Sequence, residues 1–335
     1  MPCGFTSTLC SCPETKEEAL KFIEHSFRLE APEGLGRYPR PDFIGPLLTR
    51  LPETLQDAVR MGFLNSSRAK GRISDALKSA AQVRFVGVDA DGEQATLITF
   101  RLPRFGEAAP ELFAQGKIWD DGPSADDTAF DLLGLAVRDV AIRKENSQHF
   151  DTQLLRRVSA YETLLNKGLT RISLPSASRS GGAGIDHKVA ASARELSRVT
   201  PAPRRVRVAG RLDLMGASQG VLKLHLQSGQ IITALWSGTN PIEQHRESFN
   251  RDVVVEGLGV FRASGALLRI EADALVPATQ QDEFFRQAPS ATPASDYQQL
   301  ARRRPGEVSA YAKLHGSVLF EESDDAFLAA LETVR

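Results

Sequence analysis

The chain has 335 residues, 41% of them hydrophobic and 25% charged, with a formal net charge of -1. That mixture gives apolar material for two ordinary globular cores and excludes wholesale disorder. A balanced charge also lacks the basic excess with which dedicated nucleic-acid binders neutralise phosphates.

No apolar run approaches the roughly 18 residues that cross a bilayer. Met1–Pro13 lacks the basic and apolar regions of a secretory signal. The expectation is a cytoplasmic protein with no membrane association. Cys3, Cys10 and Cys12 all fall in a flexible tail over 1–14. They are too few, and unsuitably spaced, for a zinc set or a disulfide framework.

Residues 15–175 read as an α+β domain, mainly helical with one β-hairpin. Thr15 and Glu18 form a capping box for a helix over Lys16–Glu30, where Leu20, Ile23 and Phe27 recur at helical spacing. A loop follows over Glu33–Pro41. Asp42–Phe63 carries a buried stripe of Phe43, Leu47, Leu51, Leu55 and Val59, and should be interrupted at Pro46 and Pro52. Ser74 caps a short helix to Ala81. Val83, Phe85 and Val88 belong to a strand, Asp91 and Gly92 turn it, and Thr96–Phe100 returns. Helices are expected over Glu107–Ile118, Thr128–Arg143 and Asp151–Lys167, the last ended by Gly168. Arg171–Leu174 adds a strand.

Residues 176–203 read as a linker. It opens on the Ser/Gly-rich stretch Ser176–Gly184, and Lys188–Val199 is expected only as a transient helix. Over 204–278 the period is two. Val206, Val208, Leu212 and Leu214 alternate with polar residues, as do Leu222, Leu224 and Leu226 with Lys223, His225 and Gln227. A third strand runs to Trp236. Asn240, Pro241 and Glu243 open a short helix, and Val253–Phe261 and Leu267–Ala274 complete the set. Three strands, a short helix and two strands is the order of a small five-stranded OB-like β-barrel.

The strings Gly210–Leu214 (GRLDL), Asn250–Gly257 (NRDVVVEG) and Phe261–Asp273 (FRASGALLRIEAD) carry a resemblance. The segment resembles a module of uncharacterised bacterial proteins, some antitoxin-like or defence-associated. The resemblance implies a bacterial, intracellular setting and transfers no active site.

Candidate chemistry is sparse. Arg205, Arg207, Arg211 and Lys223 could form a basic face for single-stranded nucleic acid. Trp236 and Phe261 are the only aromatics on the expected strands to stack on bases. Asp120, Asp121, Asp126, Asp127 and Asp131 lie along one loop and helix start, a place for capping rather than for metal. Ser147, His149 and Asp151 hold the three triad residue types, but so close in sequence that Asp151 reads as a helix cap. Asn65–Arg72 offers hydroxyls and basic side chains to an anion, and reads as a surface loop. No catalytic residue, cofactor or metal set is expected.

Residues 279–335 read as a polar tail with a terminal amphipathic helix capped by Ser323. Its apolar side chains Phe327, Leu328 and Leu331 need a surface to cover them, either this chain's own or that of an unidentified protein partner. The function these features favour is a non-enzymatic interaction or regulatory protein, antitoxin-like or defence-associated. A single-stranded nucleic-acid binder using the barrel is the alternative, and a hydrolase with an unrecognised site in the first domain is a further one.

Overall fold

The computed structural model describes residues 21–32, 39, 41–68, 73–92, 95–113, 122–174, 182–216 and 220–292. The first part builds a twisted sheet with helices on one face. Its elements are β1 (Phe22–Glu30), α1 (Pro41–Leu64), α2 (Asp75–Ala80), β2 (Arg84–Asp91), β3 (Ala95–Pro103), α3 (Phe105–Ala108), α4 (Ala129–Ala141), α5 (Thr152–Ala160), α6 (Glu162–Leu165), β4 (Arg171–Ser173), β5 (Gly184–Ile185) and α7 (His187–Val199). The sheet order is β2-β3-β1-β4-β5.

The expected first helix is overturned in its described half: Phe22–Glu30 is a strand. Phe27 and Leu29 point into the core, while Glu24, Ser26 and Arg28 face solvent. That alternation places β1 between β3 and β4. Its polar face is a cross-strand ladder, with Arg101 on Glu24, the Ser26 and Thr99 hydroxyls 2.9 Å apart, and Arg28 on Asp91 at 2.7 Å.

The other face is closed by α4, which is buried almost all round, as a helix between two layers must be. Phe130 of α4 meets Phe27 edge to face, with ring centroids 4.7 Å apart. Contrary to expectation, α1 runs unbroken through Pro46 and Pro52. Pro46 has no N–H for the carbonyl four residues back, and Lys167 supplies that donor to Asp42 O at 3.2 Å. Residues 152–167 hold two short helices, α5 and α6, meeting at the fully buried Tyr161. Its phenol donates to Thr54, and burial pushes its pKa up to about 12. The stretch read as a linker supplies β5 and α7. Asp186 caps α7 through the Val189 N–H, and Val189, Ala190, Ala193 and Leu196 are buried.

The second part is β6 (Arg204–Gly216), β7 (Val221–His225), β8 (Ile231–Trp236), a 3-10 turn over Ile242–Ser248, β9 (Asp252–Phe261) and β10 (Leu267–Pro277). These strands close a barrel in the order β10-β8-β7-β6-β9. β8 and β10 run parallel and every other neighbouring pair antiparallel. The closed five-stranded barrel, with a helical turn between its third and fourth strands, is compatible with an OB-like module. The expected alternation holds as far as Leu212, and Val206, Val208, Leu222, Leu224, Ile232, Val253, Val255 and Ile270 fill the interior. A bulge between Leu212 and Leu214 then sets Leu214 opposite Lys223 and leaves it only partly buried, against expectation. β9 can hug β10 only at a glycine, since a Cβ on Gly257 would lie 2.1 Å from Glu271 O. A second 3-10 turn, Gln280–Arg286, lies against β6, and Ser290 bridges to Ala266. Sheet body and barrel lie in the same compact unit. The flexible tail expected over 1–14 and the terminal helix expected after Ser323 lie outside the described residues.

Candidate functional site

The densest buried polar cluster lies where the barrel meets the sheet body, and residues from both build it. Arg269 of β10 is 4% exposed and stands beside Thr233 of β8. It donates to Asn65 O at 2.8 Å and to Asp151 Oδ2 at 3.2 Å, and lies 3.5 Å from Glu271. Asp151 caps α5 as expected, accepting from the Gln153 and Leu154 N–H groups. It also accepts from the backbone N–H and the hydroxyl of Ser67. The Asn65–Arg72 loop therefore does hold an anion, and the anion is the protein's own carboxylate; residues 69–72 are outside the described set. Asn65 adopts a left-handed φ of 52° at the end of α1 and donates from Nδ2 to Thr233 at 2.9 Å.

The cluster continues into the body. Asp57 of α1 takes Arg157 of α5 at 3.0 Å and Arg60 at 3.3 Å. Burial raises the Asp57 carboxyl above its ordinary range, against the pull of those two guanidinium groups. Arg157 is also bonded to Glu53.

The turn between β9 and β10 makes a second contact. Arg262 donates to Asn146 Oδ1 at 2.9 Å, and the Ser264 N–H to Glu145 O at 3.2 Å. Val260, Ala263 and Leu268 pack into the core of the sheet body. Burial lowers the Arg262 pKa, and no acid offsets it among the described residues.

Beside this contact, the triad types do not assemble as a triad. The Ser147 hydroxyl donates to Asp139 at 2.7 Å, and His149 Nδ1 lies 2.8 Å from the same oxygen. Burial pulls the Asp139 carboxyl upward. The hydrogen bonds of Ser147 and His149, with the charges of His149 and Lys144, outweigh it and hold the group below its usual range. The arrangement seals the loop after α4, and the serine is directed at the carboxylate rather than at a substrate. Sequence reading missed Asp139 because it reads as one more residue of an amphipathic helix.

The four basic residues expected to form a nucleic-acid face all lie on the outside of β6 and β7. Arg205 makes a two-pronged pair with Asp273, and Arg207 reaches Glu256 at 2.8 Å. Arg211 bonds Asn250. Lys223 is half-buried next to Thr233, and its pKa is lowered by desolvation against the nearby Asp213. Of the two aromatics, Phe261 fills the barrel, and Trp236 is tied by its indole N–H to Asn240 O at 2.7 Å. The sequence reading missed a second pair of aromatics, Phe284 and Phe285. Phe285 lies under the Arg207 guanidinium at 4.7 Å, and Phe284 beside it is 87% exposed. Adjacent aromatics in a polar stretch were the available signal.

In the acidic run, Asp131 accepts from the Thr128 N–H and hydroxyl at the start of α4, and Asp127 from the Ser124 N–H. Among the described residues no three His, Cys, Asp or Glu side chains could hold a metal ion, and no helix is long and apolar enough to cross a membrane. Asp120, Asp121, Phe327, Leu328 and Leu331 lie outside the described residues. Comparison with protein-family models, with curated proteins and with solved structures yields no match for this chain.

Proposed function

We propose that this chain is a non-enzymatic interaction or regulatory protein that holds a protein partner, with Phe327, Leu328 and Leu331 of a terminal amphipathic helix as the gripping residues. One observation carries the reading. OB-like barrels take oligonucleotides on the face of their second and third strands and on the loops flanking it, including that between the fourth and fifth strands. Here that loop is docked on Asn146 and Glu145, and Thr233 of the third strand is capped by Asn65. The barrel applies that loop and part of its third strand to its own sheet body, which suits a scaffold presenting a tail. An antitoxin-like or defence-associated role is the concrete form. Co-purification from the native host of the intact chain, and of one with the three tail residues changed to serine, tests it: a stoichiometric partner should be lost with the substitutions.

A single-stranded nucleic-acid role has one observation in its favour, the Arg207–Phe285 stack with Phe284 exposed beside it. Aromatic platforms flanked by arginine are what unpaired bases stack upon. Acidic partners beside those arginines count against it. Fluorescence anisotropy with labelled oligonucleotides at two salt concentrations separates the readings, because phosphate binding weakens steeply with salt.

A further inference from the structure

β2 ends the sheet, and among the described residues its outer edge pairs with no strand. Open edges template pairing with other chains, and proteins blunt them with lysine, proline or bulges. β2 has neither lysine nor proline, and Phe85 is 49% and Val86 47% exposed. Its one irregularity is a bulge at Val86, since Phe85 opposes Phe100 and Gly87 opposes Thr99. That bulge bends the edge and leaves two neighbouring apolar side chains outside.

The charges along the strand are unevenly matched. Arg84 stands opposite Arg101, a like charge already taken by Glu24. It lies over the Phe22 ring at 4.3 Å, and among the described residues it has no ion pair. Asp89 stands opposite Leu97 and also has none, whereas Asp91 is held by Arg28. The strand thus offers a spare cation near its start and a spare anion near its end.

We propose that β2 pairs with β2 of a second copy of this chain, antiparallel about a two-fold axis between Val86 and Gly87. That register sets Arg84 opposite the second copy's Asp89 and Phe85 opposite its Val88. The symmetry makes each pair twice. Opposite charges and aromatic–β-branched pairs across strands are both stabilising, and a parallel partner copy would align like charges instead.

Sedimentation velocity on the full chain at rising concentration tests this. The expected limit is twice the 36.5 kDa of one chain. Arg84→Asp and Asp89→Arg should each weaken the dimer by about tenfold or more, because each turns two attractive pairs into two repulsive ones. The double reversal Arg84→Asp/Asp89→Arg should restore it, and Phe85→Asp should abolish it. All of these positions are exposed, so circular dichroism should show each variant folded. A single-chain mass throughout would overturn the proposal, as would a dimer indifferent to these substitutions or a β2 edge that takes a strand only from another protein.

Discussion

Arg269 of the barrel and Asp151 of the sheet body meet at 3.2 Å, with side chains 5% and 4% exposed. Removing one partner of a buried pair leaves the other charge without compensation and costs about 3–5 kcal/mol. Arg269→Met should fall near the low end, because Asp151 keeps Ser67 and the α5 N–H groups. In urea melts the double variant Arg269→Met/Asp151→Asn should cost less than the sum of the singles by about 1–3 kcal/mol. Additive losses would mean that the contact does not couple the two parts.

Two glycines should respond very differently. Gly257→Ala forces a Cβ to within 2.1 Å of Glu271 O, a backbone atom that cannot swing away. A loss of about 1–3 kcal/mol or more is expected. Gly45 is exposed on α1 with nothing within 4 Å of its Cβ position. Gly45→Ala should be close to neutral, because a gain of about 0.5–1 kcal/mol in helix propensity is opposed by the clash of the new Cβ with the ring of Pro46, the next residue in α1. Thermal melts of both variants check the pair.

His25 gives a pH prediction. Its ring lies 5.2 Å from Phe130, its Nε2 is buried without a hydrogen-bond partner, and burial lowers its pKa despite the nearby Asp131. The unfolded chain therefore binds its proton more readily than the folded one. Stability from this group is complete above the ordinary histidine value of 6.5 and declines as pH falls below it towards the lower folded pKa. His25→Leu should flatten that decline in urea midpoints measured at pH 7 and pH 5.5. An unchanged slope would show that His25 is solvated.

Asp139 behaves as an acid with a depressed folded pKa. Its contribution is present above the ordinary carboxylate range and is lost as pH falls through the folded value. Asp139→Asn should thus cost about 1–3 kcal/mol near neutrality, with the gap to the native chain unchanged at pH 5.5 and narrowing only in urea midpoints taken below the ordinary carboxylate value of 3.8.

The barrel was legible because β6 to β10 obey period two between clear turns, and because Asn240 and Pro241 announce the helical turn. β1 was misread because Leu20, Ile23 and Phe27 also satisfy helical spacing, and only its partners β3 and β4 decide the matter. The Ser/Gly-rich stretch before α7 masks it in the sequence, although Val189, Ala193 and Leu196 form a good apolar stripe. The junction was illegible for a different reason. Arg269 and Asp151 lie 118 residues apart, and Asp151 already has a sufficient local role as a cap. A residue with one evident task hides a second that only tertiary contact reveals.

If the chain works by holding a protein, changing its tail should release that partner. The most direct measurement is co-purification of the full chain from its native host, beside Phe327→Ser/Leu328→Ser/Leu331→Ser. A stoichiometric partner is expected with the native chain and should be absent with the variant. Native chain and variant both emerging alone, with salt-dependent oligonucleotide binding in the same preparations, would contradict it.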